Sequence, residues 1–169
     1  MQTDSHPTID GERVTIRPIR ITDTAMEADF IRRLSPQTKH YRFLGGVKEL
    51  SAAQVSQLCD VDGRHSMAFV ATIHRDGRET EIGVSRYAPN SHSDVREIAV
   101  TVADEWQHKG LGTKLMEQLI QSARSNGVKR LYSIELSDNA AMRALAADLK
   151  MNVERDPNDP HQTIYSLRL

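Results

Sequence analysis

The stretch best suited to bind a ligand is a glycine-containing turn that follows an apolar strand. Gly110 and Gly112 occupy the predicted first turn of a helix, just after a strand that ends at Val102. The first N–H groups of a helix have no partners within it, and glycines leave them uncrowded. With the helix dipole, such a turn favours an anion, above all a phosphate. A Gly-x-Gly alone also occurs in tight turns, so a purely structural explanation stays open.

Two well-known phosphate-binding motifs do not match this turn. A P-loop requires Gly-Lys-Ser/Thr, whereas Gly112 is followed by Thr113-Lys114. A dinucleotide-binding fingerprint requires a third Gly or Ala three residues after Gly112, where this chain has Leu115. The turn is therefore predicted to bind phosphate in another context.

Glu97 is the candidate for acid–base chemistry, and it lies on the strand that leads to this turn. An amine such as lysine has a pKa near 10.4, so at neutral pH it is almost wholly protonated and cannot attack a carbonyl group. A carboxylate can accept the proton directly or through water. For Glu97 taken alone, a surface glutamate on a strand is the simpler explanation.

Other polar residues are weaker candidates. Isolated histidines and short acidic loops are usually structural or solvated, which is the expectation for His40, His65, Asp60 and Asp62. Trp106, beside the turn, is expected to pack as an anchor.

The elements that position these residues follow from hydrophobic periodicity. A strand is predicted over 94–102, a helix over 110–126, a strand over 131–136 and an Ala-rich helix over 139–150. Earlier in the chain, Asp-Gly between two alternating runs, 67–74 and 81–87, indicates a hairpin. The remaining predictions are a strand near 14–19, helices over 24–34 and 51–58, a short element and loop over 39–50, and a final hairpin of 153–155 with 163–169. Together they indicate an α/β (α+β) fold, a mixed sheet flanked by helices.

Length and composition favour one globular domain. The 169 residues include 38% apolar and 27% charged residues, and 22 basic residues oppose 23 acidic ones. Such a balance predicts no long-range attraction to nucleic acid or anionic membrane. We expect a flexible tail over residues 1–12, a single domain over 13–169 and a cytoplasmic protein. Cys59 is the single cysteine and is expected to be buried at the end of a helix.

The full spacing resembles that of the GNAT superfamily of N-acetyltransferases. The residues that carry the resemblance are Gln107-x-x-Gly110-x-Gly112 after an apolar strand and Asn139 after the following strand. Within that superfamily, the chain is most similar to the acetyltransferase domain of the bacterial protein lysine acetyltransferases (Pat), from about Val14 to the C-terminus. The resemblance implies a mostly antiparallel sheet, with acetyl-CoA beside the central strand and the N-terminus of the helix after it.

The resemblance also implies roles for individual residues. Glu97 would be the general base, and the Val100 N–H would stabilise negative charge on the thioester carbonyl. Acetyl-CoA would be held mainly by main-chain groups, with Asn139 and Arg143 contacting it from the next helix. The implied cofactor-binding set is Val100, Thr101, Val102, Gln107, His108, Lys109, Gly110, Leu111, Gly112, Thr113, Asn139 and Arg143. No metal is expected, and the partners would be acetyl-CoA and lysines of proteins, with the chain a monomer or homodimer.

Two departures from the family pattern matter. Many members have a tyrosine in the helix after Asn139 that protonates the departing thiolate, and residues 144–149 contain none, so the general acid is unassigned. Lys150 stands where a glycine usually ends that helix. Two alternative functions remain: acetylation of a small-molecule amine, and a non-catalytic acyl-CoA sensor.

Overall fold

The computed structural model describes residues 3–45 and 49–169, and its centre is a seven-stranded sheet. The strands are β1 (Thr8–Ile9), β2 (Glu12–Arg13), β3 (Thr15–Pro18), β4 (Met67–Arg75), β5 (Arg78–Pro89), β6 (Val95–Val102), β7 (Arg130–Leu136), β8 (Asn152–Arg155) and β9 (Gln162–Arg168). The helices are α1 (Thr24–Arg33), α2 (Pro36–Phe43), α3 (Ala52–Cys59), α4 (Leu111–Ser125) and α5 (Ala140–Asp148). No helix in the described part of the chain is both long and apolar enough to cross a bilayer.

The sheet is mixed and mostly antiparallel, as predicted. Its strand order is β3-β4-β5-β6-β7-β9-β8, and β6–β7 is the parallel pair in it. The β6–β7 ladder is short, with its last matched positions at Glu97 and Tyr132. Beyond these positions the two strands separate, although β6 stays paired with β5 as far as Val102.

Helix α4 lies against the sheet beside this separation. Its apolar stripe is fully buried, at Leu111, Leu115, Leu119 and Ala123. A Cβ at Gly83 of β5 would lie 2.9 Å from Leu115 Cδ1, so glycine there permits the close approach of helix and strand. The Ser85 hydroxyl also donates to the Leu115 carbonyl at 3.0 Å. The start of α4 is thereby fixed against the end of β6.

The N-terminal segment differs from the expected tail. Strands β1 and β2 form a small hairpin, and Ser5 forms a bridge to Ile16. Ile9 is 6% exposed, so this segment has an apolar anchor in the core. A flexible tail was expected over 1–12, whereas in the structure one buried side chain and a short pairing hold residues 5–12 against the domain. Met1 and Gln2 lie outside the described residues.

Two other local features bear on the predictions. The segment predicted as a short element and loop over 39–50 contains the second half of α2, and residues 46–48 of it lie outside the described residues. At the end of α5, Lys150 has a φ of 56°, in the left-handed region. The Lys150 and Met151 N–H groups donate to Ala147 and Ala146, which is the hydrogen-bond pattern of a glycine-type helix end. Lysine thus takes the left-handed conformation that the family assigns to glycine.

Candidate active site

A cleft of about 660 Å³ opens where β6 and β7 separate. Its walls come from β6, β7, the start of α4, helix α5 and helix α2. Most of the sequence-predicted site residues line it: Glu97, Val100, Thr101, Val102, Gln107, His108, Gly110, Leu111, Gly112, Thr113 and Asn139. Lys109 and Arg143 are not among the lining residues. The cleft therefore brings together residues from the end of one strand, one turn and the next helix.

Backbone groups of β6 face this cleft. The Ala103 N–H donates to Ile82 of β5, and the main-chain groups of a strand alternate in direction. Val100 and Val102 consequently direct their N–H and C=O groups away from β5 and towards the cleft. The Val102 carbonyl is already bonded there, since it accepts from Gln107 Nε2 at 3.0 Å. The Val100 N–H has been left without a strand partner by the separation of β7.

The turn after β6 is held by polar contacts with α2. The Gln107 amide also donates to Thr38 Oγ1 at 3.2 Å. Asp104 accepts from the Ser35 N–H, the Ser35 hydroxyl and the Thr38 hydroxyl at 2.6–2.9 Å. The Asp104 pKa is lowered because the hydrogen bonds from Ser35 and Thr38 outweigh the effect of burial. Gln107 thus positions the turn and one wall of the cleft, a role that sequence reasoning missed.

The turn itself presents unpaired N–H groups. His108 and Gly110 have φ values of 60° and 85°, and α4 starts without a side-chain cap. Within residues 3–45 and 49–169, none of the N–H groups of 108–113 donates to a protein acceptor. A Cβ at Gly110 would contact nothing within 4 Å, and one at Gly112 would face Val102 and Leu145 at 3.8 Å. This cradle fits a phosphate, because donors converge at a helix N-terminus with open space in front of them.

The remaining predicted ligand contacts are of two kinds. Asn139 is buried and caps α5, with its Oδ1 accepting from the Met142 N–H at 3.1 Å. Arg143 is exposed, and its guanidinium donates to the Ser137 carbonyl at 3.4 Å. Lys109 forms an ion pair with Asp10 at 2.7 Å and lies over the buried Trp106 ring. Lys109 therefore stabilises the turn through contacts outside the cleft and does not line the cleft itself.

Glu97 lies at the mouth of the cleft, where β6 and β7 cease to pair. Its side chain is exposed, and Oε2 accepts from the Tyr132 hydroxyl at 3.4 Å. Asn90 in turn donates to that hydroxyl oxygen at 2.7 Å. Burial raises the Tyr132 pKa, and Glu97 acts in the same direction, so the phenol stays a donor. An exposed, oriented carboxylate of this kind can accept a proton from an amine that enters from solvent.

A second acidic side chain lines the cleft, and sequence reasoning missed it. Glu135, on β7, is half-buried and accepts a hydrogen bond from the Ser133 hydroxyl. Burial raises the Glu135 pKa, the Ser133 hydrogen bond and the Arg42 charge lower it, and the Glu97 charge raises it further; the net change is upward. The one signal in the sequence was a charged residue between two apolar ones, Ile134 and Leu136, within a predicted strand.

Several weaker candidates lie elsewhere. Asp62 accepts from three successive backbone N–H groups and from the His65 ring, which stabilises a loop and lowers the Asp62 pKa. His40 and Asp60 are absent from the lining of the cleft. Cys59 is buried at the end of α3, as predicted, and burial raises its pKa to about 11. No cluster of His, Cys, Asp and Glu within the described residues has an arrangement that would hold a metal ion.

The chain is similar in sequence to known acetyltransferases. The profile of the Acetyltransferase (GNAT) family matches residues 36–150. The chain is 48% identical to the acetyltransferase PA5475 of Pseudomonas aeruginosa, over 95% of this chain and 86% of that protein. It is 32% identical to the acetyltransferase Pat of Mycolicibacterium smegmatis, over 80% of this chain but 40% of that longer protein.

The solved structures agree with these sequence matches. The GNAT domain of S. lividans PAT superposes with a TM-score of 0.88 at 25% identity, covering 98% of this chain and 97% of that one. A cAMP-binding acyltransferase from Mycobacterium smegmatis has a TM-score of 0.66 at 26% identity, and this chain covers 47% of it. The family profile covers well over half of the chain, and the relatives and folds agree with it. The chain belongs to the GNAT family of acetyltransferases.

Proposed function

We propose that this chain transfers the acetyl group of acetyl-CoA directly to the side-chain amine of a lysine on a protein, with Glu97 as the general base. The observation that carries the proposal is the position of Glu97, an exposed carboxylate at the mouth of a cleft whose far end is a phosphate cradle. When bound, acetyl-CoA supplies an activated acetyl thioester. The GNAT family uses this cosubstrate, and the residues present fit it.

Different residues of the cleft would bind different parts of acetyl-CoA. The free N–H groups of 108–113 would bind the pyrophosphate at the start of α4. The Val100 N–H, on the cleft side of β6, would donate to the thioester carbonyl and favour negative charge there. Val102 and Asn139 would contact the pantetheine arm along the walls of the cleft. Leu111 and Trp106 exclude water from beneath the turn.

The acceptor is proposed from charge and access. A lysine ammonium is a cation, and the Glu97 carboxylate lies in the lining of the cleft where such a cation would enter. Glu97 is exposed, so a side chain presented on the surface of another protein can reach it. The similarity to the Pat acetyltransferases supports the same class of acceptor. A non-catalytic sensor would have no need of a general base, and so no need of the oriented carboxylate of Glu97.

The proposal is tested by measuring acetylation on protein. The purified chain is incubated with acetyl-CoA and a set of lysine-containing peptides blocked at the N-terminus, together with spermidine and free amino acids as small amines. We expect acetyl transfer to lysine Nε, detected by mass spectrometry, with the peptides exceeding the small amines in kcat/KM. A matched set of peptides with lysine replaced by arginine is the control for acetylation elsewhere.

Three outcomes separate the candidate functions. Turnover confined to spermidine or amino acids would replace the lysine proposal by small-molecule acetylation. CoA binding without turnover on any amine would favour the sensor. Acetyl transfer to lysine peptides at a rate above the uncatalysed reaction, and lost with the arginine peptides, supports the proposal.

A further inference from the structure

The general acid of this enzyme is not supplied by α5, where many GNAT members have a tyrosine, since residues 140–148 contain none. We propose that Glu135 of β7 is the missing acid, which gives its proton to the sulfur of the departing CoA. This inference rests on the proposed function for the acetyl donor but not for the acceptor, because any amine acceptor leaves the same thiolate.

The strand register places Glu135 opposite the reacting end of the cleft. Glu97 and Tyr132 are the last matched positions of β6 and β7, and Val100 and Glu135 each lie three residues beyond them. The two residues are thus level with each other on opposite sides of the opening. If the Val100 N–H binds the thioester carbonyl, the sulfur, one bond from that carbonyl carbon, would lie in the cleft that Val100 and Glu135 both line.

The surroundings of Glu135 favour a neutral carboxyl that can ionise during the reaction. No ion pair within 4 Å involves Glu135 among the described residues, and the Ser133 hydroxyl is its hydrogen-bond partner. The charged and titratable groups that act on it are Arg42 of α2 and Glu97 of β6, and Glu135 itself acts on Tyr165 of β9. Burial and Glu97 raise the Glu135 pKa, so the carboxyl holds its proton to a higher pH than an ordinary glutamate.

Arg42 gives the ionised product of this step a partner. It lines the cleft, and its charge favours ionised Glu135. Burial therefore disfavours the ionised Glu135 before the reaction, and the positive charge of Arg42 stabilises it once the proton has left.

The step balances as follows. The acceptor ammonium first loses one proton through Glu97 to water, which leaves a neutral amine. The nitrogen lone pair then forms the C–N bond, the C–S bond breaks, and its electron pair goes to sulfur, which takes the Glu135 proton. The excess proton on nitrogen passes to the Glu97 carboxylate. Glu97 ends neutral and Glu135 ionised, and exchange with water restores both for the next turnover.

The first test needs no turnover. The chain is labelled with carbon-13 at the glutamate carboxyl, and the Glu135 resonance is assigned by its absence in Glu135→Gln; Glu81→Gln identifies the other high-titrating glutamate. We expect Glu135 to titrate above the ordinary glutamate pKa of about 4.3. We also expect CoA to shift its resonance more than desulfo-CoA, which lacks the sulfur. Titration at or below the ordinary pKa, or equal shifts with the two ligands, would overturn the proposal whether or not a lysine peptide is acetylated.

The second test uses the leaving group. Acetyl-CoA and the acetyl thioester of 4-nitrothiophenol, whose thiolate leaves without protonation, are compared with one blocked lysine peptide as acceptor. A general acid contributes about 10²–10⁴-fold, so Glu135→Gln is expected to lose activity in that range with acetyl-CoA and little with the aryl thioester. Glu97→Gln is expected to lose activity with both donors. Equal losses of Glu135→Gln with both donors would mean that Glu135 acts otherwise than as the acid.

A second variant tests the same role without removing the carboxyl. The Ser133 hydrogen bond lowers the Glu135 pKa, so Ser133→Ala should raise it and move the alkaline limb of the kcat profile to higher pH. An unmoved alkaline limb, in a variant whose Glu135 resonance has shifted, would assign that limb to another group and contradict the proposal.

Discussion

At the scale of single residues, the site contrasts two carboxyl groups in one cleft. Glu97 is exposed and bonded to the Tyr132 hydroxyl, whereas Glu135 is half-buried beside Ser133 with a raised pKa. Burial raises the Glu135 pKa and so favours the neutral form of that side chain, while Glu97 is exposed to an amine that enters from solvent. The environments therefore suit a base and an acid respectively, although the residue type is the same.

Replacing Glu97 by glutamine should lower kcat by about 10²–10⁴-fold at neutral pH, because the shape of the side chain is kept and its basicity is lost. The loss should shrink as the pH rises towards the pKa of the acceptor amine, where less acceptor needs deprotonation. CoA affinity, measured by calorimetry, should be unchanged, since main-chain groups at the other end of the cleft are proposed to bind the cofactor. A wild-type kcat in this variant at neutral pH would remove Glu97 from the mechanism. Tyr132→Phe is the matched control: it keeps the carboxylate and removes only its hydrogen-bond donor at 3.4 Å.

At the scale of elements, the proposed function depends on strand β6, which stops pairing with β7 before its own end, and on the turn before α4, which has no side-chain cap. Strand β6 stays paired with β5 while β7 diverges, so its free edge is rigid and still unpaired. The turn after it is held by Asp104 and Gln107 through contacts with α2, which leaves its own N–H groups available. The free edge of β6 and the turn after it therefore supply main-chain N–H donors for a ligand, while the rest of both elements is held by hydrogen bonds within the protein.

The anion cradle can be tested with two glycines of similar conformation. Gly110 and Gly77 have φ values of 85° and 74°, and a Cβ at either would contact nothing within 4 Å. Alanine in this region costs about 1 kcal/mol, so both Gly→Ala variants should lose similar unfolding free energy in urea titrations. CoA affinity should fall about tenfold in Gly110→Ala, because a strained turn misaligns donors that bind a charged group. It should be unchanged in Gly77→Ala, in the β4–β5 turn; equal CoA affinities in the two variants would place the pyrophosphate elsewhere.

The sequence predicted the elements whose stability is local. Strand β6, helix α4, strand β7 and helix α5 have clear hydrophobic periodicity, and the structure has them within a few residues of the predicted bounds. Helix α2 was not recognised as a helix, although Ser35 caps it and Pro36 is its first residue; its N-terminus is also bonded to Asp104 across more than sixty residues. The β1–β2 hairpin depends on one buried side chain, Ile9, which a polar segment does not reveal.

The residues of the cleft also divide into those with a local signal and those that depend on contacts between distant segments. Gly110 and Gly112 could be found from the sequence because they come soon after a predicted strand and at the start of a predicted helix. Glu135 could not, because the alternation of β7 does not tell where its neighbour β6 diverges, and the divergence decides whether a side chain meets the core or a ligand. Register between distant segments is what periodicity leaves undetermined.

At the scale of the whole molecule, one cluster of buried charge links α1 to the centre of the sheet. Glu27 of α1 and Glu81 of β5 are 1% and 0% exposed, and Arg86 is the cation bonded to Glu27, at 2.8 Å. Within the described residues, neither carboxylate oxygen of Glu81 accepts from an N–H or hydroxyl donor, and the Glu27 carboxyl is the group within hydrogen-bonding reach of it. Burial first, and then the neighbouring Glu27, raise the Glu81 pKa well above its ordinary value, while Arg86 lowers it and the nearby Cys59 raises it slightly. The folded chain therefore favours a protonated Glu81.

This cluster makes the stability of the whole domain depend on pH. A carboxyl whose pKa is raised by folding contributes stability that is present below its unfolded pKa, about 4.3, and is lost as the pH rises through the folded pKa. In that window the unfolding free energy should fall with a slope of up to about 1.4 kcal/mol per pH unit, the value for one proton. Glu81→Gln, which cannot ionise, should flatten the slope and exceed the wild type in stability at alkaline pH.

Asp29→Asn is the control of opposite sign. The hydrogen bond from Arg33 lowers the Asp29 pKa, so that variant should lose stability above the unfolded pKa of the aspartate. Urea titrations of the three proteins across the pH range measure these slopes. Parallel curves for the wild type and Glu81→Gln would mean that Glu81 keeps an ordinary pKa in the folded chain, which requires a partner for its carboxylate beneath α1.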